Sequence, residues 1–109
     1  MTDCIVALVT VGSRDDGERI ADVLVGEHLA ACVNVVGPIR SIYRWENAIQ
    51  RAEEWLLIVK AQAAQFEALA ARVRAVHSYT TPEVIALPIT AGSEPYLEWL
   101  RGATRQRGD

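Results

Sequence analysis

Leu29-Ala-Ala-Cys-Val-Asn-Val-Val-Gly-Pro-Ile-Arg-Ser-Ile-Tyr-Arg-Trp45, the short step Glu46-Asn47-Ala48, and Ile49-Gln-Arg-Ala-Glu-Glu-Trp-Leu-Leu-Ile-Val-Lys60 form the stretch on which the fold turns. Both arms are rich in β-branched and aromatic residues, the composition of strands, and so short a step between them makes a hairpin. Strands ordinarily run about 5–6 residues. The first arm has room for about 14, roughly 45 Å of extended chain. A compact domain of this size has a radius of gyration of only about 13 Å. Part of the hairpin therefore projects beyond its own core, carrying Ile42, Tyr43, Trp45 and Trp55, and partner chains are the expected cover.

Within the first arm Gly37-Pro38 interrupts the apolar run. A proline there cannot donate to a ladder, so a bulge or bend is expected. Beyond it Ile39, Ser41, Tyr43 and Trp45 share one face, and Arg40, Ile42 and Arg44 the other. The second arm opens polar, Arg51-Ala52-Glu53-Glu54, then is apolar at every position from Trp55 to Val59. The outer hairpin is amphipathic and its root is buried on both faces. Trp45 and Trp55 are expected near one another across it. Glu53 and Glu54 fall on opposite faces, so they make no carboxylate pair for acid–base work.

Working outward, Cys4–Val11 reads as a buried strand. Gly12-Ser13 ends it, and Ser13 with Asp16 starts a helix that buries Ile20, Ala21, Leu24 and Val25, with His28 in its last turn. Phe66, Leu69, Ala70, Val73 and Val76 recur at helical spacing, predicting a helix from about Ala64 to His77. Pro82 holds Thr81 out of helical geometry, and Val84–Ile89 reads as a short strand. Ser93 caps a last helix, with Pro95 in its first turn and Tyr96, Leu97 and Leu100 facing inward. The order is that of an α+β, ferredoxin-like βαββαβ sandwich with its helices on one sheet face, an extra C-terminal helix and a long hairpin between its second and third strands. One domain spans residues 1–109, of which about 102–109 form a polar, flexible tail near the cluster Arg101, Arg105 and Arg107.

The net charge of −3 argues against a nucleic-acid partner, which needs clustered Lys and Arg. No basic region precedes an apolar stretch at the N-terminus, and no apolar run approaches the ~20 residues that cross a bilayer. Cys4 and Cys32, the only cysteines, read as free, reduced thiols of a cytoplasmic protein.

No nucleophile elbow, phosphate loop or dinucleotide fingerprint is present, and the chain does not read as an enzyme. Gly12-Ser13 reads as a turn and cap before it reads as an anion site. The richest candidate is His77-Ser-Tyr-Thr-Thr-Pro-Glu83, an imidazole, a phenol, hydroxyls and a carboxylate in one helix-to-strand loop. Imidazole suits Cu(II) or Zn(II), and the thiolate of Cys32 suits Cu(I). Two readings of His77 stand: a metal ligand, or a helix-ending residue bonded to a carbonyl or water. Cys32 reads as a small buried hydrophobe before it reads as a metal ligand, and Lys60 as a solvated strand end before a contact for an anion.

Several blocks, in order, resemble the CutA family, the divalent-cation tolerance proteins: Leu29–Pro38, Ser41-Ile-Tyr-Arg-Trp-Glu46, His77-Ser-Tyr-Thr-Thr-Pro-Glu-Val-Ile-Ala-Leu-Pro-Ile89 and Tyr96-Leu-Glu-Trp-Leu100. The resemblance implies a ferredoxin-like homotrimer whose hairpins pair between chains, a cytoplasmic role in tolerance of copper and other divalent metals, copper binding in some members, and no established catalysis. It places Cys32, Tyr43, Trp45, Glu46 and Lys60 beside an inter-subunit cleft with Tyr79 and Glu83, and makes His77 the metal candidate ahead of Cys32. Ser78 and Thr80 stand where the family's loop carries a proline and an acid or amide, and Val9 and Val76 where some relatives carry Cys and His. The alternative it raises is a sensor like the PII signalling proteins, taking a small anionic metabolite or a partner protein in the cleft.

Overall fold

A computed structural model describes residues 1–106; Arg107, one of the three clustered arginines, lies outside the described residues. The elements are β1 (Cys4–Val11), α1 (Arg14–Gly26), β2 (Cys32–Trp45), β3 (Ala48–Gln62), a 3-10 turn (Ala63–Gln65), α2 (Phe66–Val76), β4 (Val84–Pro88) and α3 (Glu94–Ala103). The strands pair antiparallel in the order β2-β3-β1-β4, the ferredoxin-like sheet predicted from the order of elements.

β2 and β3 run 14 and 15 residues and make the molecule 45 Å long against 26 and 21 Å in its other dimensions. Glu46 and Asn47 join them with φ of 51° and 65°, the left-handed pair whose twist suits a two-residue hairpin. Val36 opposes Leu56 and Ile39 opposes Glu54, so Gly37 and Pro38 together face Trp55 in a bulge. Trp55 lies so close on this backbone that a Cβ at Gly37 would stand 2.6 Å from its ring carbons.

Alternation along the strands divides the sheet. Val9, Val11, Leu57 and Val59 point to one face and are fully buried against Ile20 and Leu24 of α1 and Leu69 and Val73 of α2, each contributing about 1.5–3 kcal/mol. Ser13 starts α1, its Oγ accepting the Asp16 N–H at 3.1 Å.

The expectation that every helix lies on one face is corrected by α3. Cys4, pleated opposite Ile5, clusters with Ala31, Leu97 and Leu100, so α3 covers the other face at that end. Burial there pushes the Cys4 thiol up from its usual range. Leu97 and Leu100 are buried, but Tyr96 is turned outward beside Trp99, ring centroids 5.4 Å apart. Ser93 holds the cap position of α3 without a side-chain cap bond, and His28 lies past the end of α1 with φ 61°. The expected polar tail starts later than 102. Thr104 is fully buried, its hydroxyl donating to the Leu100 carbonyl and accepting from Gln62 Nε2, both at 2.8 Å. Arg101 bonds Asp3 and Glu94. α3 leaves the rest of its face open: Val36, Ile85 and Leu87 are exposed there, with Val6, Leu8, Leu56 and Ile58 half-buried.

Candidate functional site

The loop from His77 to Glu83 crosses the far end of the sheet and is pinned at three points. His77 closes α2, its backbone N–H bonding the Val73 carbonyl at 2.8 Å. Its Nδ1 accepts the Tyr79 backbone N–H at 2.9 Å, so Nε2 carries the proton and donates to the Thr10 carbonyl at 2.8 Å. Both ring nitrogens are thereby occupied. The Ser78 hydroxyl donates to Asp16 Oδ2; that bond first, with Arg19 behind it, holds the Asp16 carboxyl below its usual range. Third, the Tyr79 hydroxyl donates to Glu54 Oε2 at 2.8 Å. Burial, and after it this bond to Glu54, pushes the phenol up to about 12. Gly12 makes room for Tyr79, since a Cβ there would approach its oxygen to 3.3 Å.

Between this loop and the outer hairpin runs a groove of about 740 Å³. Glu54, Glu83 and Thr10 lie at its root, and Ser41, Ile42, Tyr43 and Trp45 continue it along β2. Ser78, Thr80 and Thr81 add hydroxyls from the loop. Among the described residues, no Lys or Arg lines it. Trp45 opposes Ala48 in the register, six residues from Glu54, so the groove extends about 20 Å along the hairpin.

The structure thus brings Tyr43, Trp45, Tyr79 and Glu83 to one groove. Glu46 sits in the turn at the hairpin tip and Lys60 opposite Cys32, and neither lines it. Lys60 stands six residues from Glu54 along β3, about 20 Å away, with its ammonium bonded to Asn34 Oδ1. The anionic-metabolite reading therefore finds no cation in the groove. Cys32 shares a row with Lys60 and Val6, four residues along and two strands across from Thr10, where the His77 ring is bonded. That separation, about 16 Å, prevents Cys32 and His77 of one chain from holding one metal. Among the described residues no group of three or more His, Cys, Asp or Glu side chains is placed to hold a metal ion. Trp45 and Trp55 do not meet either. Trp55 is seven residues along β3 from the partner of Trp45, and the two side chains point to opposite faces.

Glu54 is the residue that sequence reasoning passed over. At 7% exposed it is almost entirely buried, yet among the described residues it has no cationic partner. The available signal was its alternation with Leu56 and Ile58, which puts it on the open sheet face.

The class of protein defined here is a ferredoxin-like α+β fold whose second and third strands are drawn out into a hairpin, with a loop-covered groove at the hairpin's side. The family model described as CutA1 divalent ion tolerance protein matches residues 5–103, and the chain belongs to that family. Protein CutA, chloroplastic, of Arabidopsis thaliana is 52% identical over 101 residues, 93% of this chain and 56% of the relative. This chain thus spans little more than half of that relative's length. The divalent-cation tolerance protein CutA of Thermus thermophilus is 48% identical over 91% of this chain and 96% of its own. The crystal structure of CutA1 from Oryza sativa superposes with a TM-score of 0.92 at 47% identity, covering 95% of both chains.

Proposed function

We propose that this chain acts in divalent-cation tolerance as a cytoplasmic homotrimer that meets copper and related ions weakly, through oxygen donors, and not through a His/Cys chelate. The observation that carries this reading is the family match over residues 5–103. Weak, oxygen-based binding is supported by the two bonds that occupy His77 and by the carboxylates Glu54 and Glu83 in the groove. Carboxylate and hydroxyl oxygens are hard ligands that leave Cu(II) less tightly held than imidazole and thiolate do. Assembly is supported by the apolar surface that one chain leaves bare: Ile42 and Ile49 are each 61% exposed, and Ile85 and Leu87 about half. Exposed apolar residues on both faces of the sheet in this way mark surfaces for partner chains. The two free thiols support a reducing compartment, and no helix among the described residues is long and apolar enough to cross a membrane.

Copper titration by calorimetry tests the metal reading. The wild type and His77→Ala are expected to give the same weak, saturable heat, and Glu83→Gln a smaller one. Tight binding that disappears in His77→Ala refutes it.

A further inference from the structure

The groove carries more information than a site for a bare ion requires. Glu54 is 7% exposed and spends one oxygen on the Tyr79 hydroxyl. Its second oxygen has no hydrogen-bond partner among the described residues and is not itself enclosed, and the side chain lines the groove. A carboxylate oxygen left open in a groove is free to accept from a donor or to pair with a cation. Glu83 supplies a second carboxylate from the segment leading into β4. β3 and β4 flank β1, so the two are carried by strands about 10 Å apart, a spacing that an extended dication can span. The remaining polar lining is hydroxyl, able to accept N–H bonds. Beyond the carboxylates the hairpin continues with Tyr43 and Trp45, whose aromatic surfaces suit methylene groups and the face-on approach of an ammonium.

We propose that the groove is a receptor for a linear aliphatic diamine or polyamine, its ammonium groups held by Glu54 and Glu83 and its methylene chain laid along Tyr43 and Trp45. An ammonium is a donor without acceptors, and this lining is rich in acceptors and lacks cations. Two charges joined by a flexible chain also match two carboxylates on separate strands. The inference does not depend on the metal reading, and binding of copper leaves it neither supported nor opposed.

Calorimetry on the full chain, in EDTA to remove metals and at matched ionic strength, uses putrescine as the probe and butylamine and succinate as comparisons. Putrescine binds saturably, butylamine about tenfold more weakly for want of the second charge, and succinate gives no heat. Glu54→Gln and Glu83→Gln each weaken putrescine by about tenfold, while Glu53→Gln, the same charge change on the opposite strand face, leaves it unchanged. The Gln at position 54 still accepts the Tyr79 hydroxyl, and a thermal melt verifies that each variant is folded. Absence of saturable heat overturns the proposal. So does equal affinity for butylamine, or an equal loss in Glu53→Gln, which reduces the effect to diffuse attraction by a protein of net charge −3.

Discussion

Replacing Tyr79 by Phe removes one hydrogen bond and one titrating group, and both can be followed. The phenol is pushed from 10.0 to about 12, and at about 1.36 kcal/mol per unit this is at most about 2.7 kcal/mol of preference for the protonated, folded form. Tyr79 is 36% exposed, so solvent screening reduces the figure to about 1 kcal/mol. Phe also leaves Glu54 without its donor, which costs about 1–3 kcal/mol. Both figures describe the same hydrogen bond and are not added, so the expected loss is about 1–3 kcal/mol near neutral pH. A group whose pKa is raised on folding contributes fully below its unfolded value, and the contribution fades as pH rises through the folded one. The gap between wild type and Tyr79→Phe is thus complete below pH 10 and shrinks from 10 towards 12. Urea denaturation at equal protein concentrations, needed for an assembling chain, measures it across that range, and ultraviolet difference spectra follow the phenolate. A gap that stays constant through pH 12, or is absent at neutral pH, refutes the buried phenol–carboxylate bond.

Gly37→Ala drives a methyl into the Trp55 ring and is expected to cost about 1–3 kcal/mol in denaturant titration; Gly26→Ala, where nothing lies within 4 Å at the end of α1, gains about 0.5–1 kcal/mol. Shortening the hairpin tip around Trp45–Ile49 yields smaller, less stable species in sizing chromatography. A shortened chain that assembles and melts as before removes the hairpin from the account of assembly.

The strands were legible because their signals are local. The apolar run Cys4–Val11 became β1 without change of boundary, and Gly37-Pro38 announced its bulge. α3 was misplaced because amphipathicity says that one side of a helix is buried and not against which sheet face. Tyr96 follows from the same limit: it lies only one residue from Leu97, yet that step turns it about 100° away from the buried line. The site was harder to read because it depends on which groups converge. Lys60 and Tyr43 both belong to the hairpin, but only the register shows one about 20 Å from Glu54 and the other beside Tyr79. His77 offered a metal-binding side chain to the sequence, while its two partners, a strand carbonyl and a neighbouring N–H, are backbone atoms that no sequence pattern displays.

The bulge at Gly37 and Pro38 makes the hairpin two modules with separate addresses. On the root, even-numbered residues of β2 such as Asn34 and Val36 share the open face; past the bulge, odd-numbered Ser41, Tyr43 and Trp45 do. A change of one residue in the bulge's length exchanges the face of Ser41, Tyr43 and Trp45 for that of Arg40 and Arg44, while the paired root keeps its phase. Lineages that vary in length at this one point can therefore offset the charge their groove presents without rebuilding the sheet that carries it.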